Sequence, residues 1–142
     1  ADNCMLFLWS TSAMLPMAIQ LIREWGFQYK TVGFVWVKMK NDMSEPRGDG
    51  IGNYTLSNAE YVLIGTKGNY WRKNANVRQI ILSSKKKHSE KPQEIRNRIV
   101  QLCGDLPRIE LFARKDKEIL FEDESFKGWD VWGNEVESDI EL

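Results

Sequence analysis

Two acids, an amide and a lysine are the residues of this chain whose types and surroundings point to chemistry. Glu110 lies inside the short apolar run Arg108-Ile-Glu-Leu-Phe-Ala-Arg114, and Glu60 follows Asn58 at the head of Asn-Ala-Glu-Tyr-Val-Leu-Ile-Gly-Thr. A carboxylate among apolar neighbours is costly unless something pairs with it. At the carboxyl end of a parallel strand the partner is often a hydroxyl or amine of a ligand. The plainer reading is a strand with one solvated or salt-bridged glutamate, and pattern alone favours it. Lys91 stands just before Pro92 at the expected start of a helix. A cation is unfavourable at that positive end unless an anion meets it. Basic residues gather nearby: Lys85, Lys86 and Lys87 read most simply as a solvated turn, but with Arg72, Lys73 and Arg78 they could line a phosphate track.

The elements that must position these residues read as alternating strands and helices. Cys4-Met-Leu-Phe-Leu-Trp9 reads as a fully buried strand, too short to span a membrane and without the basic flank of a signal peptide. Ser10, Thr11 and Ser12 are helix N-cap candidates; Leu15, Ala18, Ile19, Ile22 and Trp25 follow at helical spacing, and Gly26 ends the run. Residues 30–38 return as a strand with Val32, Phe34 and Trp36 on one face. Trp36 is most simply core, with a base-stacking platform as the alternative. The apolar pattern stops over 39–53, a long Gly- and Pro-containing loop of a kind usually functional or disordered. Strands are expected over 58–66 and 79–82. A helix from Pro92 carries Ile95, Ile99 and Leu102 on its apolar stripe and ends at Gly104. It leads into the Arg108 run, expected as a buried strand with Ile109, Leu111 and Ala113 on one face. A charged linker (115–127), the compact Gly128-Trp-Asp-Val-Trp-Gly-Asn and a frayed acidic tail from Ser138 complete the chain.

Bulk properties bound the answer. At 142 residues the chain is one domain with room for a real core. Formal net charge is zero, so no global field draws it to nucleic acid, but the distribution is uneven. Residues 67–98 hold ten Lys/Arg against two Glu, and residues 115–142 hold ten Asp/Glu against three Lys. That asymmetry predicts a basic face and an acidic tail. Cys4 and Cys103 lie in apolar runs and read as core thiols of a reducing compartment. A single histidine and two distant cysteines offer no metal-ligand spacing. No repeat and no glycine-rich phosphate loop is present.

Several stretches, in one order, resemble the MT-A70 family of adenine N6-methyltransferases, its phage and bacterial branch most of all. They are Leu8-Trp9, Glu24-Trp-Gly-Phe27, Val35-Trp-Val-Lys38, Asn58-Ala-Glu-Tyr-Val-Leu-Ile-Gly-Thr-Lys-Gly68, His88-Ser-Glu-Lys-Pro92, Ile109-Glu-Leu-Phe-Ala-Arg114 and Trp129-Asp-Val-Trp-Gly-Asn134. The resemblance runs from about residue 5 to 135 and makes 1–137 the C-terminal part of a methyltransferase domain. It implies a Rossmann-like α/β fold with a central, mostly parallel sheet, S-adenosylmethionine (SAM) as cofactor, and methyl transfer to the N6 amine of adenine in nucleic acid, DNA favoured over RNA. It also implies an intracellular protein off the membrane, working alone or as a homo- or heterodimer. The family's Asp-Pro-Pro-Trp motif is missing from these residues. We therefore expect the catalytic strand to lie upstream and the chain by itself to transfer no methyl group.

Residue by residue, the resemblance places Lys91, Glu60 and Asn58 in the catalytic set. Lys91, Glu110, Leu111, Arg114, Asn134 and Glu135 fall to the cofactor, with the last two on its ribose. Trp36, Lys38, Tyr54, Asn58 and Glu60 fall to the substrate adenosine, and Arg72, Lys85, Lys86 and Lys87 to its strand. Methyl transfer from a sulfonium needs little acid–base help, so positioning dominates. An adenine in a duplex must be flipped out to reach such a pocket. A non-catalytic family member that supports an active partner is the alternative function, and an unrelated α/β binding domain the third.

Overall fold

The computed structural model describes residues 1–85, 90–113, 126–133 and 137–140. The chain forms two compact units, one of residues 1–72 and 76–92, the other of 73–75 and 93–142.

The first unit is built on a four-stranded sheet. Its strands are β1 (Cys4–Ser10), β2 (Gln28–Met39), β3 (Ala59–Lys67) and β4 (Ile80–Ser84), in the order β1-β3-β2-β4. Helix α1 (Leu15–Glu24) follows a 3-10 turn at Ser12–Met14. Pro16 in its first turn suits a position where an N–H would find no partner. The expected Ser/Thr cap is not made: the residues flanking both helical starts lack a side-chain cap bond, and the Ser10 hydroxyl donates instead to the Thr11 carbonyl. Gly26, at φ 82°, ends the helix as expected. Ala18 and Ile22 of α1 meet Leu63 of β3, with Leu6, Leu8, Val32 and Tyr61 packed around them. Trp25, expected on this stripe, is exposed.

The sheet is mixed, which corrects the mostly parallel arrangement expected. β3 runs antiparallel to both its neighbours, β1 and β2, and only β2 and β4 pair in parallel. Alternation cannot reveal strand direction, and a strand buried on both faces reads alike in either sense. A second correction concerns β2. Its register against β3 shifts between Val32 and Phe34. The bulge puts Val32 with the α1 core, whereas Phe34 and Trp36 turn to the opposite face, against Phe7 and Trp9. Gly33 sits at the bulge, where a Cβ would collide with the Ile64 side chain.

In the second unit, α2 (Glu94–Cys103) ends at Gly104, as expected, with Ile95 and Cys103 buried. β5 (Ile109–Leu111) pairs in parallel with β6 (Asp130–Trp132) in a separate two-stranded sheet. This corrects the buried strand expected over 108–114. β5 has three residues, Ile109 and Leu111 are exposed, and Phe112 leaves the strand at φ 59° with its ring edge-on to Trp132. Ala113 is buried with Phe126 and Val131. Gly128 (φ 77°) lies where a Cβ would meet the Arg108 guanidinium. The tail expected to fray from Ser138 is tied at its start, since Asp139 accepts from the Val131 N–H and returns a backbone bond to its carbonyl.

Candidate active site

In the first unit, one face of the sheet gathers the expected charge. Trp36 and Lys38 alternate along β2, and Glu60, the second residue of β3, pairs across from Trp36. Glu60 therefore shares a face with Trp36, Lys38, Val62 and, one strand further, Trp9. Its Oε1 accepts from Lys91 Nζ at 2.7 Å, and its Oε2 lies 3.1 Å from Lys38 Nζ. The carboxylate is only 12% exposed. Burial pushes the Glu60 carboxyl up, but the hydrogen bond and charge of Lys91, seconded by those of Lys38, outweigh it and hold the group below its ordinary value. The aromatic rings complete the arrangement. The Lys38 ammonium stands 5.3 Å from the Trp36 centroid and that of Lys91 5.1 Å from the Trp9 centroid. Trp9 and Trp36 meet edge to face at 6.2 Å.

Trp36 itself is core. It is 2% exposed, and its indole N–H donates to the Ser83 carbonyl at 2.9 Å. A ring so covered has no open face for a base to stack on, so its part is to carry Lys38 and Trp9. Sequence reasoning passed over Trp9 as a site residue, although Leu8-Trp9 was among the resembling stretches; its signal is an aromatic at the end of a strand beside the Glu60 strand.

Asn58 adjoins the cluster but faces the loop, where its amide donates to the Arg47 carbonyl at 3.2 Å. Backbone bonds from Lys38 to the Asn58 carbonyl and from Arg47 to the Lys38 carbonyl close the base of residues 40–58. Tyr54, on that loop, is fully exposed and does not join the Glu60 cluster. Arg72 lies over the exposed Trp71 ring at 5.3 Å, and Lys85 is half-buried just past β4.

In the second unit, Glu110 and Leu111 fall on β5. Glu110 is salt-bridged: Arg96 Nε donates to Oε2 at 2.5 Å and Nη2 to Oε1 at 2.9 Å. The plainer of the two sequence readings of Glu110 is thus present, and Arg96, not singled out beforehand, is its partner. Lys86, Lys87, Arg114, Asn134 and Glu135 lie outside the described residues. Among the described residues no group of His, Cys, Asp or Glu is placed to hold a metal ion, and no helix is long and apolar enough to cross a membrane. Neither Cys4 nor Cys103 forms a disulfide.

A mixed α/β sheet that seats an ionised acid between two lysines and against paired indoles is the framework on which kinship can be judged. The MT-A70 family model matches residues 1–135, and the chain belongs to that family. It is 41% identical over 138 residues to the Type II methyltransferase M.MunI of a Mycoplasma species, across 96% of this chain and 52% of that protein. It is 29% identical over 114 residues to the human N(6)-adenosine-methyltransferase catalytic subunit METTL3, across 80% of this chain and 20% of that protein. An N(6)-adenosine-methyltransferase MT-A70-like protein of Arabidopsis thaliana is 25% identical over 133 residues. The chain spans about half the length of M.MunI and about a fifth of METTL3.

Proposed function

We propose that this chain is part of a SAM-dependent methyltransferase that modifies the N6 amine of adenine in nucleic acid, DNA in preference to RNA. The observation that carries the reading is Glu60, held ionised and largely buried between Lys38 and Lys91 on an aromatic face. A carboxylate has about four lone-pair sites and these two lysines occupy two, which leaves acceptor capacity for an amine. The greater identity to the Type II enzyme than to METTL3 supports DNA. Three sheet strands run one way and β3 alone runs against them, and we read this as one portion of a Rossmann-like methyltransferase sheet. An intracellular protein, alone or as a homo- or heterodimer, fits that role.

The described residues fit the cofactor by type. SAM presents a carboxylate, hydroxyls and an aromatic base, and supplies, when bound, an electrophilic methyl group on a sulfonium. Lys91 is a cation with N–H donors beyond the one given to Glu60. Glu110 is an acceptor for hydroxyls and Leu111 an apolar wall; Arg114, Asn134 and Glu135 complete our assignment. The chain's own work is alignment: Glu60 orients an amine, Lys38 and Lys91 keep Glu60 charged, and the aromatic face excludes water. Asn58 acts through the loop it ties, with Tyr54 exposed on that loop for the substrate. Arg72, Lys85, Lys86 and Lys87 neutralise phosphates. Replacing the three lysines with glutamine is expected to lower the salt slope of binding by about 2–3.

A non-catalytic subunit that supports an active partner is the second reading. The test is radiolabelled methyl transfer by the whole protein to adenine-containing DNA and RNA, with the product digested to nucleosides. Label in N6-methyldeoxyadenosine, lost in Glu60→Gln, supports the enzyme. Label on another base overturns it, and nucleic-acid binding without label favours the second reading.

A further inference from the structure

The buried polar side chains among the described residues are Ser10 and Arg96. Arg96 stands in the first turn of α2, where a cation meets the helix's positive end and is electrostatically misplaced. Its position is explained by what the guanidinium does. The two donors described above grip both oxygens of Glu110, and the guanidinium carbon lies 3.6 Å from the centroid of Phe126. Phe126 is itself fixed in the core with Ala113 and Val131. The fork is thus backed by a ring and held in register by a bidentate bond. The pair is also asymmetric: the Arg96 side chain is 10% exposed and that of Glu110 29%. The arginine is thus the more buried partner and the carboxylate the more accessible one. Arg96 takes one acceptor site on each oxygen, and a carboxylate has about two per oxygen, so acceptor capacity remains on a side chain that is partly exposed.

We propose that Arg96 is a positioning residue for the cofactor: it clamps the Glu110 carboxylate in one plane so that the remaining lone pairs accept the cofactor's hydroxyl groups. The proposal rests on reading Glu110 as a cofactor acceptor. A bidentate pair used only to tether α2 to β5 would contribute to stability and nothing else, and such a pair is often replaceable by apolar packing without loss. A clamp makes a different demand. Lysine at this position keeps the charge but not the planar fork, so Glu110 would stay paired yet swivel.

The experiment is calorimetric titration of SAM into the whole protein, with steady-state kinetics and a melting curve for each variant, at a temperature where each is folded. Arg96→Lys is expected to raise Kd and KM for SAM by about tenfold while kcat changes little, the scale of one charged hydrogen bond misaligned. A lowered melting temperature with unchanged Kd makes Arg96 a tether and overturns the proposal. Phe126→Leu serves if Arg96→Lys does not fold. It keeps both charges and removes the ring that packs against the guanidinium, and should raise Kd by roughly threefold; an unchanged Kd again overturns the clamp. Glu110→Gln separates the two readings. If it leaves Kd unaltered, Glu110 is no cofactor acceptor and the clamp falls with it. If it weakens SAM binding while Arg96→Lys does not, the assignment of Glu110 stands and only the clamp is lost.

Discussion

Two acids, two ways of holding them: Glu60 is flanked by two lysines, Glu110 is gripped by one arginine. The first cluster sums to one positive charge and the second to none. A lysine is a compact, strongly hydrated point charge on a flexible stem, whereas a guanidinium fixes the plane of what it binds. The Glu60 cluster is therefore tuned in charge, with cationic capacity left for an anion, and the Glu110 pair is tuned in direction. Their supports differ in the same sense. The lysines lie over Trp9 and Trp36, which carry them without fixing an angle, and Arg96 packs closely on the Phe126 ring, 3.6 Å from its centroid.

The contrast can be broken at the support first. Trp36→Ala should cost roughly 3–5 kcal/mol of stability, the scale of a large aromatic removed from a core, because it also strands the Ser83 carbonyl. Denaturant unfolding measures this, and a loss below 1 kcal/mol would mean that Trp36 is not the floor of the cluster. Next in size, Lys91→Ala and Glu60→Gln in the whole protein should each lower kcat/KM by roughly 10- to 100-fold, the scale of a hydrogen bond to a charged group. If only one of them does so, the acid and the lysine do not act as a unit.

A smaller effect sharpens the electrostatic half of the contrast. The Glu60 carboxyl is held below its ordinary value in the folded protein. Its ion pairs therefore contribute stability that is present above the unfolded value of about 4.3 and lost as pH falls through the folded value. Melting temperature recorded from roughly pH 6 to 3 should fall less steeply in Glu60→Gln than in the parent protein. Equal slopes would mean that the lysines do not hold this acid ionised. Smallest of all, Lys38→Arg should change activity by less than about threefold, because charge suffices at that position. Against the tenfold expected of Arg96→Lys, this conservative exchange sets the two sites apart most directly.

What the sequence disclosed follows from what periodicity encodes. The four strands of the larger sheet and both helices were legible, since apolar spacing and terminal glycines mark them. Glu60 and Lys91 were legible as acid and cation, and they do meet. The shared face of Val32, Phe34 and Trp36 was not, because a one-residue bulge at Gly33 inverts the alternation without altering composition. The direction of β3 leaves no trace in a buried apolar run. β5 was over-extended because Phe112 is apolar and continues the pattern, while its backbone turns away. Arg96 escaped notice because a basic residue on a helix ordinarily points to water, and its burial depends on Glu110, fourteen residues later. Trp9 escaped because its partner, Lys91, lies far along the chain.

The place of Glu60 on β3 has a consequence in time. β3 is hydrogen-bonded on both sides, to β1 and to β2, and Val62, Leu63, Ile64 and Gly65 are buried. Amides so enclosed exchange with solvent deuterium mainly when a large part of a unit opens at once, whereas edge strands and loop bases exchange through local opening. The amides of Val62, Leu63 and Ile64 should therefore label among the slowest in the chain, and those of β1 and of residues 40–58 much earlier. Glu60 lies two residues before that slow segment, on the same strand. Its backbone should therefore keep its place through the brief openings that release the loop beside it, so that the Glu60 carboxylate stays between its two lysines while residues 40–58 open and close.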